Sequence, residues 1–391
     1  MHSGAPINRP GGLARLDGVD ALRALAIFFV LMNHVNMRLL IAKVPYTNGL
    51  PDQLVSSLVW NGQPGVQIFF AVSGFLITAT ALRRWGPLSG VSLRGFYLMR
   101  FARIAPLLLV LLAVLSACHF VQLHNFVVSP KTGGLGRALL AVLTFHVNVL
   151  EARRGYLPGN WDILWSLSVE EMFYLFFPIL ARLFGRGKWF LAILAGFVML
   201  GPFARTVFAK NNEIWKEYSY LGGMDAIALG CLTALLVSRV RLSRVILRLA
   251  CLSGAALLIF ILCFSVHVKT LGLERFGLDM SILAVGTCLL IAAAAQTQWR
   301  SPRLLGPFLN LGRRSYEIYL THMFVVFASF QLFVLAGKPM WAVVPLFLCV
   351  ILIAAFCGEL TARYFSEPMN HLIRHRWGKK PNTAATEGPL T

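Results

Sequence analysis

The stretch from Leu16 to Leu40 constrains the fold most, because it is an apolar segment of membrane-spanning length that contains two ionisable side chains, Arg23 and His34. At about 100° per residue, the eleven positions between them make slightly more than three turns. The two side chains therefore share one helix face, about 16 Å apart along the axis. Ionisable groups are costly in hydrocarbon, so the pair predicts a polar pocket that runs inward from one membrane surface. A structural alternative remains, in which His34 hydrogen-bonds a neighbouring helix and Arg23 extends to the headgroups.

The composition places the whole chain in a membrane. Hydrophobic residues make up 57% of it, only 13% are charged, and the mean hydropathy is +0.69, whereas soluble domains carry about 25% charged residues. The net charge of +20 does not indicate nucleic-acid binding, since the basic residues fall in short clusters between apolar runs. The seven cysteines lie inside apolar runs without a CxxC spacing, so neither disulfides nor a metal site is predicted.

The apolar runs predict an all-α, polytopic membrane protein with about ten transmembrane helices. After the first run, which is expected to be a retained helix and not a signal peptide, nine follow, at about 65–82, 104–124, 164–181, 189–209, 221–238, 245–267, 278–296, 316–336 and 340–360. The segment 138–150 is only 13 residues long and is expected to be re-entrant or interfacial. We expect one integral membrane domain over residues 1–376 and a disordered cytoplasmic tail over 377–391.

The distribution of positive charge predicts the orientation. Four loops are rich in Arg and Lys, and the positive-inside rule places them, with both termini, in the cytoplasm, as in a bacterial inner membrane. Basic and less basic loops alternate between the two sides of the membrane only if segment 138–150 does not cross it. The four basic clusters are Arg83, Arg84, Arg94, Arg100 and Arg103; Arg182, Arg186 and Lys188; Arg239, Arg241, Arg244 and Arg248; and Arg300, Arg303, Arg313 and Arg314.

Arginines at the cytoplasmic ends of helices predict a basic mouth for a phosphate-bearing ligand such as a nucleotide-like cofactor, because guanidinium groups form charge-assisted, bidentate hydrogen bonds with phosphate. For any one of them, ordinary topology and headgroup contact is the alternative. The predicted mouth consists of Arg23, Arg100, Arg103, Arg313 and Arg314.

Buried carboxylates are expected near the membrane surface opposite the basic mouth. Glu170, Glu171 and Asp225 enter their helices from the predicted outer surface, where a neutral, hydroxyl-bearing substrate could hydrogen-bond to them. His34 is expected between the two groups. Because neighbouring helix positions differ by about 100°, only one of the two glutamates can point fully into the pocket.

Seven motifs along nearly the whole chain occur in an order that resembles the membrane-bound acyltransferase family 3, a group that O-acylates sugars and other hydroxylated acceptors. The resemblance implies a ten-helix fold, an acyl-CoA donor (acetyl-CoA in particular) and a carbohydrate or glycolipid acceptor. The motifs are LDGVDALRALAIFFVLMNHV, GVQIFFAVSGFLIT, LMRFARIAPLL, WDILWSLSVEEMFYLFFP, GMDAIALGCLTALL, LGRRSYEIYLTH and SEPMNHLIRHR.

The resemblance also implies roles for particular residues. The family carries an arginine, ten residues and a histidine on its first helix, matched by Arg23 and His34, and an Arg-x-x-Arg pair, matched by Arg100 and Arg103. Its WSL-x-VE motif falls on the tryptophan and glutamate of WSLSVE. The full set of candidates is: catalytic, His34, Glu170 and Arg23; cofactor-binding, Arg100, Arg103, Arg313 and His322; substrate-binding, Trp165, Tyr174 and Asp225.

The chemistry fits these residue types. Transfer of an acyl group from a thioester to a hydroxyl needs a base that removes the hydroxyl proton, and imidazole, with a reference pKa of about 6.5, suits that role. His34 is the predicted base, oriented by a buried carboxylate such as Glu170 or by a water. His322 could instead be a structural hydrogen-bond donor, and Ser73 and Gly74 are expected to let helices approach closely.

Alternatives in function remain open at this point. Ten helices with intramembrane charges would also suit a transporter or flippase of a glycan or glycolipid, although no paired, similarly interrupted halves are visible in the sequence. Within the acyltransferase class, the acceptor could be an exopolysaccharide, a lipopolysaccharide, another glycoconjugate or a small molecule such as a macrolide sugar. Membrane lipids are the only other partner predicted, and no nucleic acid is expected.

Overall fold

The computed structural model describes residues 16–209 and 211–377. This part of the chain is helical throughout, with eighteen α-helices and no strand. The helices are α1 Asp17–Ile41, α2 Asp52–Val59, α3 Gly62–Trp85, α4 Leu93–Phe120, α5 Gly134–Leu143, α6 Val147–Arg154, α7 Gly159–Asp162, α8 Leu164–Phe184, α9 Lys188–Arg205, α10 Glu213–Tyr218, α11 Tyr220–Arg239, α12 Arg244–Cys263, α13 Ser265–Thr270, α14 Asp279–Thr297, α15 Gly306–Arg313, α16 Ser315–Leu335, α17 Val343–Thr361 and α18 Glu367–Trp377.

Ten helices in the described ranges are long and apolar enough to cross a membrane, which confirms an all-α, polytopic integral membrane protein. They are α1, α3, α4, α8, α9, α11, α12, α14, α16 and α17. The segment 138–150 forms the end of α5 and the start of α6, separated by a break at Phe145 with φ of 57°. At about 1.5 Å per residue, the ten residues of α5 cover about 15 Å, half of a hydrocarbon core.

Consecutive spanning helices run antiparallel. We call the side on which α1 begins the basic face and the side on which it ends the opposite face. At the basic face Asp17 accepts a hydrogen bond from the backbone N–H of Ser301 at 3.0 Å. At the opposite face Asn61, before α3, donates to the carbonyl of Leu262 near the end of α12 at 3.0 Å. The basic face carries the four basic clusters, and its cytoplasmic location stays a prediction.

Two helix ends differ from the sequence prediction. The third span was expected to begin at 104, but α4 begins at Leu93, so Arg94, Arg100 and Arg103 lie on a helix and not in a loop. The hydropathy signal misses this start because these three arginines interrupt the apolar residues of the first turns of α4. After α17 a π-helical turn over Ala362–Ser366 leads into α18. The predicted tail beyond Trp377 lies outside the described residues, as do residues 1–15.

The crossing of α3 and α11 explains two glycines in apolar runs. A methyl group added to Gly74 of α3 would collide with the backbone carbonyl oxygen of Ile227, and one added to Gly230 of α11 would collide with that of Ala71. The two backbones therefore touch, which is the packing that small residues permit between helices in a membrane. The expectation of a packing role for Gly74 is confirmed.

We expect Gly74→Ala to lower the melting temperature of the detergent-solubilised protein by a few degrees, because overpacking typically costs about 1–3 kcal/mol. Gly196→Ala in α9 is the matched control, since no atom lies within 4 Å of the added Cβ. Alanine favours a helix over glycine by about 1 kcal/mol, so the control should be neutral or stabilising. Equal melting temperatures for the two variants would contradict the close crossing.

Asp225 belongs to this structural framework. Its carboxylate is fully buried and forms an ion pair with Arg205 of α9, with 2.7 Å between Oδ2 and Nη2. Gln67 donates to Oδ1 at 2.9 Å and Ser281 donates to Oδ2 at 2.6 Å. Arg205 also donates to the carbonyl of Gly277 at 3.0 Å. These contacts connect α3, α9, α11 and the segment 277–281. Both carboxylate oxygens of Asp225 accept hydrogen bonds from protein groups.

Candidate active site

A long cavity of about 350 Å³ lies between α1, α3, α4, α8 and α16. Along α3 its lining runs from Trp85 at the basic face to Val66 near the opposite face. At about 1.5 Å per residue, these nineteen positions cover about 28 Å. The far end is formed by Leu164, Ser166 and Tyr319. The cavity, which we call the channel, therefore runs through most of the thickness of the bundle.

Four arginines line the channel: Arg23 from α1, Arg100 and Arg103 from α4, and Arg374 from α18. Within residues 16–209 and 211–377, none of them forms a hydrogen bond or ion pair with a protein group. Arg100 stacks on the ring of Tyr174, with 4.1 Å between the guanidinium carbon and the ring centroid. Guanidinium groups carry five donors each, so this cluster has many donors that an anionic ligand could use. Sequence reasoning missed Arg374 in its basic C-terminal stretch.

Arg313 and Arg314, predicted in the basic mouth, have carboxylate partners. Arg313 lies 3.0 Å from Asp20 and 3.5 Å from Asp17. Arg314 pairs with Glu359 at 2.7 Å and with Glu367. A cofactor that binds Arg313, as the sequence predicted, would therefore have to displace the two aspartates of α1 that pair with it. The ion pairs of Arg314 connect it to α17 and α18.

A second cavity of about 260 Å³ opens beside these ion pairs. It shares Arg23 and Arg103 with the channel, so these two side chains stand between the two spaces. Two polar atoms of its lining, Ser366 Oγ and Asn370 Oδ1, are buried and lack a hydrogen-bond partner in the described part of the chain. The cavity thus extends the basic mouth with polar groups from the start of α18.

Glu170 lies in the channel with the arginines. It is within hydrogen-bonding reach of Ser73, and Arg100, Arg23 and Arg103 all act on its carboxylate. Ser73 in turn shares a short hydrogen bond with Tyr174. The expected separation into cytoplasmic arginines and outer carboxylates is therefore not observed for Glu170. Glu171, turned by about 100°, stands outside the channel lining, as the helix geometry predicted.

His34 lies beside His322 of α16, with 5.0 Å between ring centroids and 44° between ring planes. Nδ1 of His322 is 2.7 Å from the carbonyl oxygen of Tyr319, so it carries the proton and donates it. The other nitrogen, Nε2, is buried without a partner in the described structure. The sequence placed His322 near the cofactor and Glu170 near His34, but the structure places His322, and not Glu170, at the ring of His34.

The channel ends next to this histidine pair. The ring of Tyr319, which closes the channel, is 5.7 Å from the ring of His322. The hydroxyl of Tyr319 donates to the carbonyl of Ile163 at 2.9 Å and lies 2.7 Å from the hydroxyl of Ser166. An extended ligand whose charged end binds the arginines can therefore bring its other end to Tyr319, which separates the channel from His322 and His34.

Two predicted substrate-binding residues lie along α8, away from each other. Tyr174 lines the channel beneath Arg100. Trp165 is buried, with its ring stacked on that of Tyr218 at 4.1 Å. Asp225 belongs to the structural cluster described above and does not line either cavity. The structure thus brings Arg23, Glu170 and Tyr174 together and leaves Trp165 and Asp225 apart.

Comparison with known proteins identifies the fold family. A family profile described as an acyltransferase domain matches residues 16–359. The chain belongs to this acyltransferase family. The match covers α1 through most of α17 and includes every channel residue except Arg374.

Two curated relatives are similar over most of this chain. The peptidoglycan O-acetyltransferase OatA of Listeria monocytogenes is 26% identical over 382 residues, and the O-acetyltransferase OatA of Staphylococcus aureus (strain NCTC 8325) is 23% identical over 369 residues. Each alignment covers 90% of this chain and 56% or 57% of the relative, so the chain spans little more than half of their length. No solved structure matches the chain.

Proposed function

We propose that this protein is a membrane O-acyltransferase that moves an acetyl group from cytoplasmic acetyl-CoA to a hydroxyl of a carbohydrate acceptor. The observation that carries the proposal is the channel, which runs from four arginines without protein partners to Tyr319, whose ring lies 5.7 Å from the ring of His322 in the histidine pair. Membership of an acyltransferase family and the similarity to two O-acetyltransferases support the reaction class and a glycan such as peptidoglycan as acceptor.

The channel suits a donor with charge at one end and a reactive group at the other. The phosphates of CoA would bind Arg100, Arg103 and Arg374 through charge-assisted hydrogen bonds. Arg23 and Glu170 would hold the polar middle of the molecule. The apolar lining of α3 would accommodate the thiol arm, and the thioester would lie near Tyr319 at the far end of the channel.

The reaction needs one base near the thioester carbonyl. His34 accepts the proton of the acceptor hydroxyl while the oxygen attacks the carbonyl carbon and a C–O bond forms. The C–S bond then breaks, and the CoA thiolate takes the proton back from the imidazolium. The products are an O-acetyl ester and free CoA thiol, so protons and electrons balance. The oxyanion that develops on the carbonyl oxygen also needs a hydrogen-bond donor, and the hydroxyl of Tyr319 or Ser166 could supply it only by releasing the carbonyl of Ile163, to which both donate.

The test uses the purified full chain in lipid nanodiscs, with labelled acetyl-CoA and soluble peptidoglycan glycan strands. We expect one CoA thiol released per ester formed on the glycan, without any ion gradient. Nanodiscs have no lumen, so turnover there cannot depend on transport. Movement of the glycan across proteoliposomes without ester formation would instead favour a transporter and overturn the proposal.

A further inference from the structure

The opposite end of α1 carries a second polar group near His34. Arg38 follows His34 by one helical turn, so the two side chains share a face about 6 Å apart. The guanidinium carbon of Arg38 lies 4.9 Å from the centroid of the Phe327 ring on α16. Its Nε is buried and has no hydrogen-bond partner in the described ranges. Arg38 lies about 22 Å from Arg23 along the helix axis and is separate from the basic mouth.

The one-turn helix α7 presents further polar atoms beside α16. Asn160 is 1% exposed, and neither its amide oxygen nor its amide nitrogen has a partner among the described residues. The indole N–H of the fully buried Trp161 also lacks one. The preceding Gly159 packs on Met323, which follows His322 directly, and on Phe327, because its missing side chain leaves room for them. This places α7 next to the histidine pair and Arg38.

Two carboxyl groups complete the cluster. Asp162 accepts a hydrogen bond from Tyr218 at 3.1 Å, and Arg38 acts on its charge. Glu151 of α6 is fully buried, accepts from the N–H of Leu157 at 3.0 Å through Oε1, and has an unpartnered Oε2. Burial, together with the nearby Asp162 carboxylate, raises the pKa of Glu151 well above its ordinary value. While it holds its proton, the Glu151 carboxyl can donate, and Asp162 is a nearby acceptor.

Buried polar atoms without partners are rare in folded proteins and are usually satisfied by a ligand or an ordered water. Here they combine donors with acceptors around one guanidinium and one carboxylate, so the cluster has no strong preference for an anion or a cation. A neutral ring with several hydroxyl groups matches it, because each hydroxyl both donates and accepts.

We propose that Arg38, Asn160 and Asp162 form the acceptor site, which binds the hydroxylated sugar ring of a glycan and presents one hydroxyl to His34. This rests on the proposed function for the identity of the reaction. It places donor and acceptor at opposite ends of the bundle, with the histidine pair between them. The recognition surface thus lies on the α6–α8 segment and on the last turns of α1.

The experiment compares Asn160→Leu with Asn61→Leu in the full chain. Leucine has the branched shape of asparagine without its polar atoms, and both variants add the same extra volume. Asn61 is also a buried amide at the opposite face, but its nitrogen donates to the carbonyls of Ser57 at 2.7 Å and Leu262 at 3.0 Å. Two quantities are measured: the melting temperature and the affinity for soluble peptidoglycan glycan strands without donor.

We expect Asn160→Leu to weaken glycan binding at least tenfold, to leave acetyl-CoA affinity unchanged, and to keep or raise the melting temperature. Removing a polar group that has no protein partner relieves a desolvation cost. Asn61→Leu should do the reverse, lowering the melting temperature with unchanged glycan affinity. An Asn160→Leu variant that loses as much stability as Asn61→Leu, or that binds glycan like the wild type, overturns the acceptor site.

The two proposals fail in different ways. If the wild type transfers acetyl groups while Asn160→Leu binds glycan normally, the cluster holds only water and the proposed function stands. If the wild type binds glycan and Asn160→Leu does not, but no ester forms from acetyl-CoA, the acceptor site stands and the donor or the reaction is wrong.

Discussion

Replacing His34 by alanine is expected to lower the rate of acyl transfer by about 10²- to 10⁴-fold, because a positioned general base contributes that much. The loss should appear in kcat, with acetyl-CoA affinity unchanged, since Arg23 is about 16 Å away along α1 and the other donor-binding arginines lie on α4 and α18. The measurement is ester formation by the nanodisc protein with glycan strands, at saturating donor. His267→Ala is the control, because this histidine lies on α13 and lines neither cavity.

A variant of the neighbouring His322 tests whether His34 acts as a base or is only a buried ring. The ring of His322 lies beside that of His34, and its Nε2 is a buried acceptor without a partner in the described residues, so a small movement of either ring would let it accept the N–H of His34 and leave the other nitrogen free as the base. His322→Ala should therefore lower kcat and shift the acid limb of the pH–rate profile. A profile of unchanged shape would assign His322 a structural role, and wild-type turnover of His34→Ala would exclude His34 as the base.

The sequence predicted the ten spans and the shared face of Arg23 and His34 because both depend on local information. Hydropathy over about 20 residues reports membrane crossing, and the helical period fixes which side chains on one helix face together. The same local reasoning found that Gly74 packs at a helix crossing and that Glu170 and Glu171 diverge. None of these conclusions needs to know which helices are neighbours.

Contacts between helices were beyond the reach of the sequence. The ring next to His34 comes from α16, almost 290 positions away, so the choice between Glu170 and His322 could not be made from spacing. Arg313 appeared free in the sequence, but Asp17 and Asp20 on α1 compensate its charge. Positive charge in a loop signals topology equally well whether or not a carboxylate lies opposite it.

The candidate acceptor site shows a further limit. Asn160 is unremarkable in the sequence, because an amide before a tryptophan carries no motif. Its significance arises only from the folded structure, in which 1% exposure coincides with two unpartnered polar atoms. Arg374 was hidden for a related reason, since the π-helical turn over Ala362–Ser366 carries the chain from α17 back toward α4. The signal for such residues is an unsatisfied polar group, which requires coordinates.

Removing Arg100 and Arg103 together should weaken acetyl-CoA binding by roughly 10²-fold or more. Hydrogen bonds to charged groups contribute about 1.5–3 kcal/mol each, and about 1.4 kcal/mol corresponds to a factor of ten in affinity. The effect is expected in the dissociation constant of the donor, measured by calorimetry on the nanodisc protein, with glycan affinity unchanged. Higher salt should partly reproduce it in the wild type, because both side chains are partly or fully solvent-exposed.

The double variant Arg182→Ala and Arg186→Ala controls for net charge, since it removes two exposed arginines from the same face outside both cavities. It should bind acetyl-CoA like the wild type. Arg103→Lys adds a geometric test, because lysine keeps the charge but cannot form the bidentate pair. If Arg103→Lys binds the donor normally, the site senses charge alone. If the Arg100 and Arg103 double variant loses donor and glycan binding equally, the arginines stabilise the bundle and do not hold the donor.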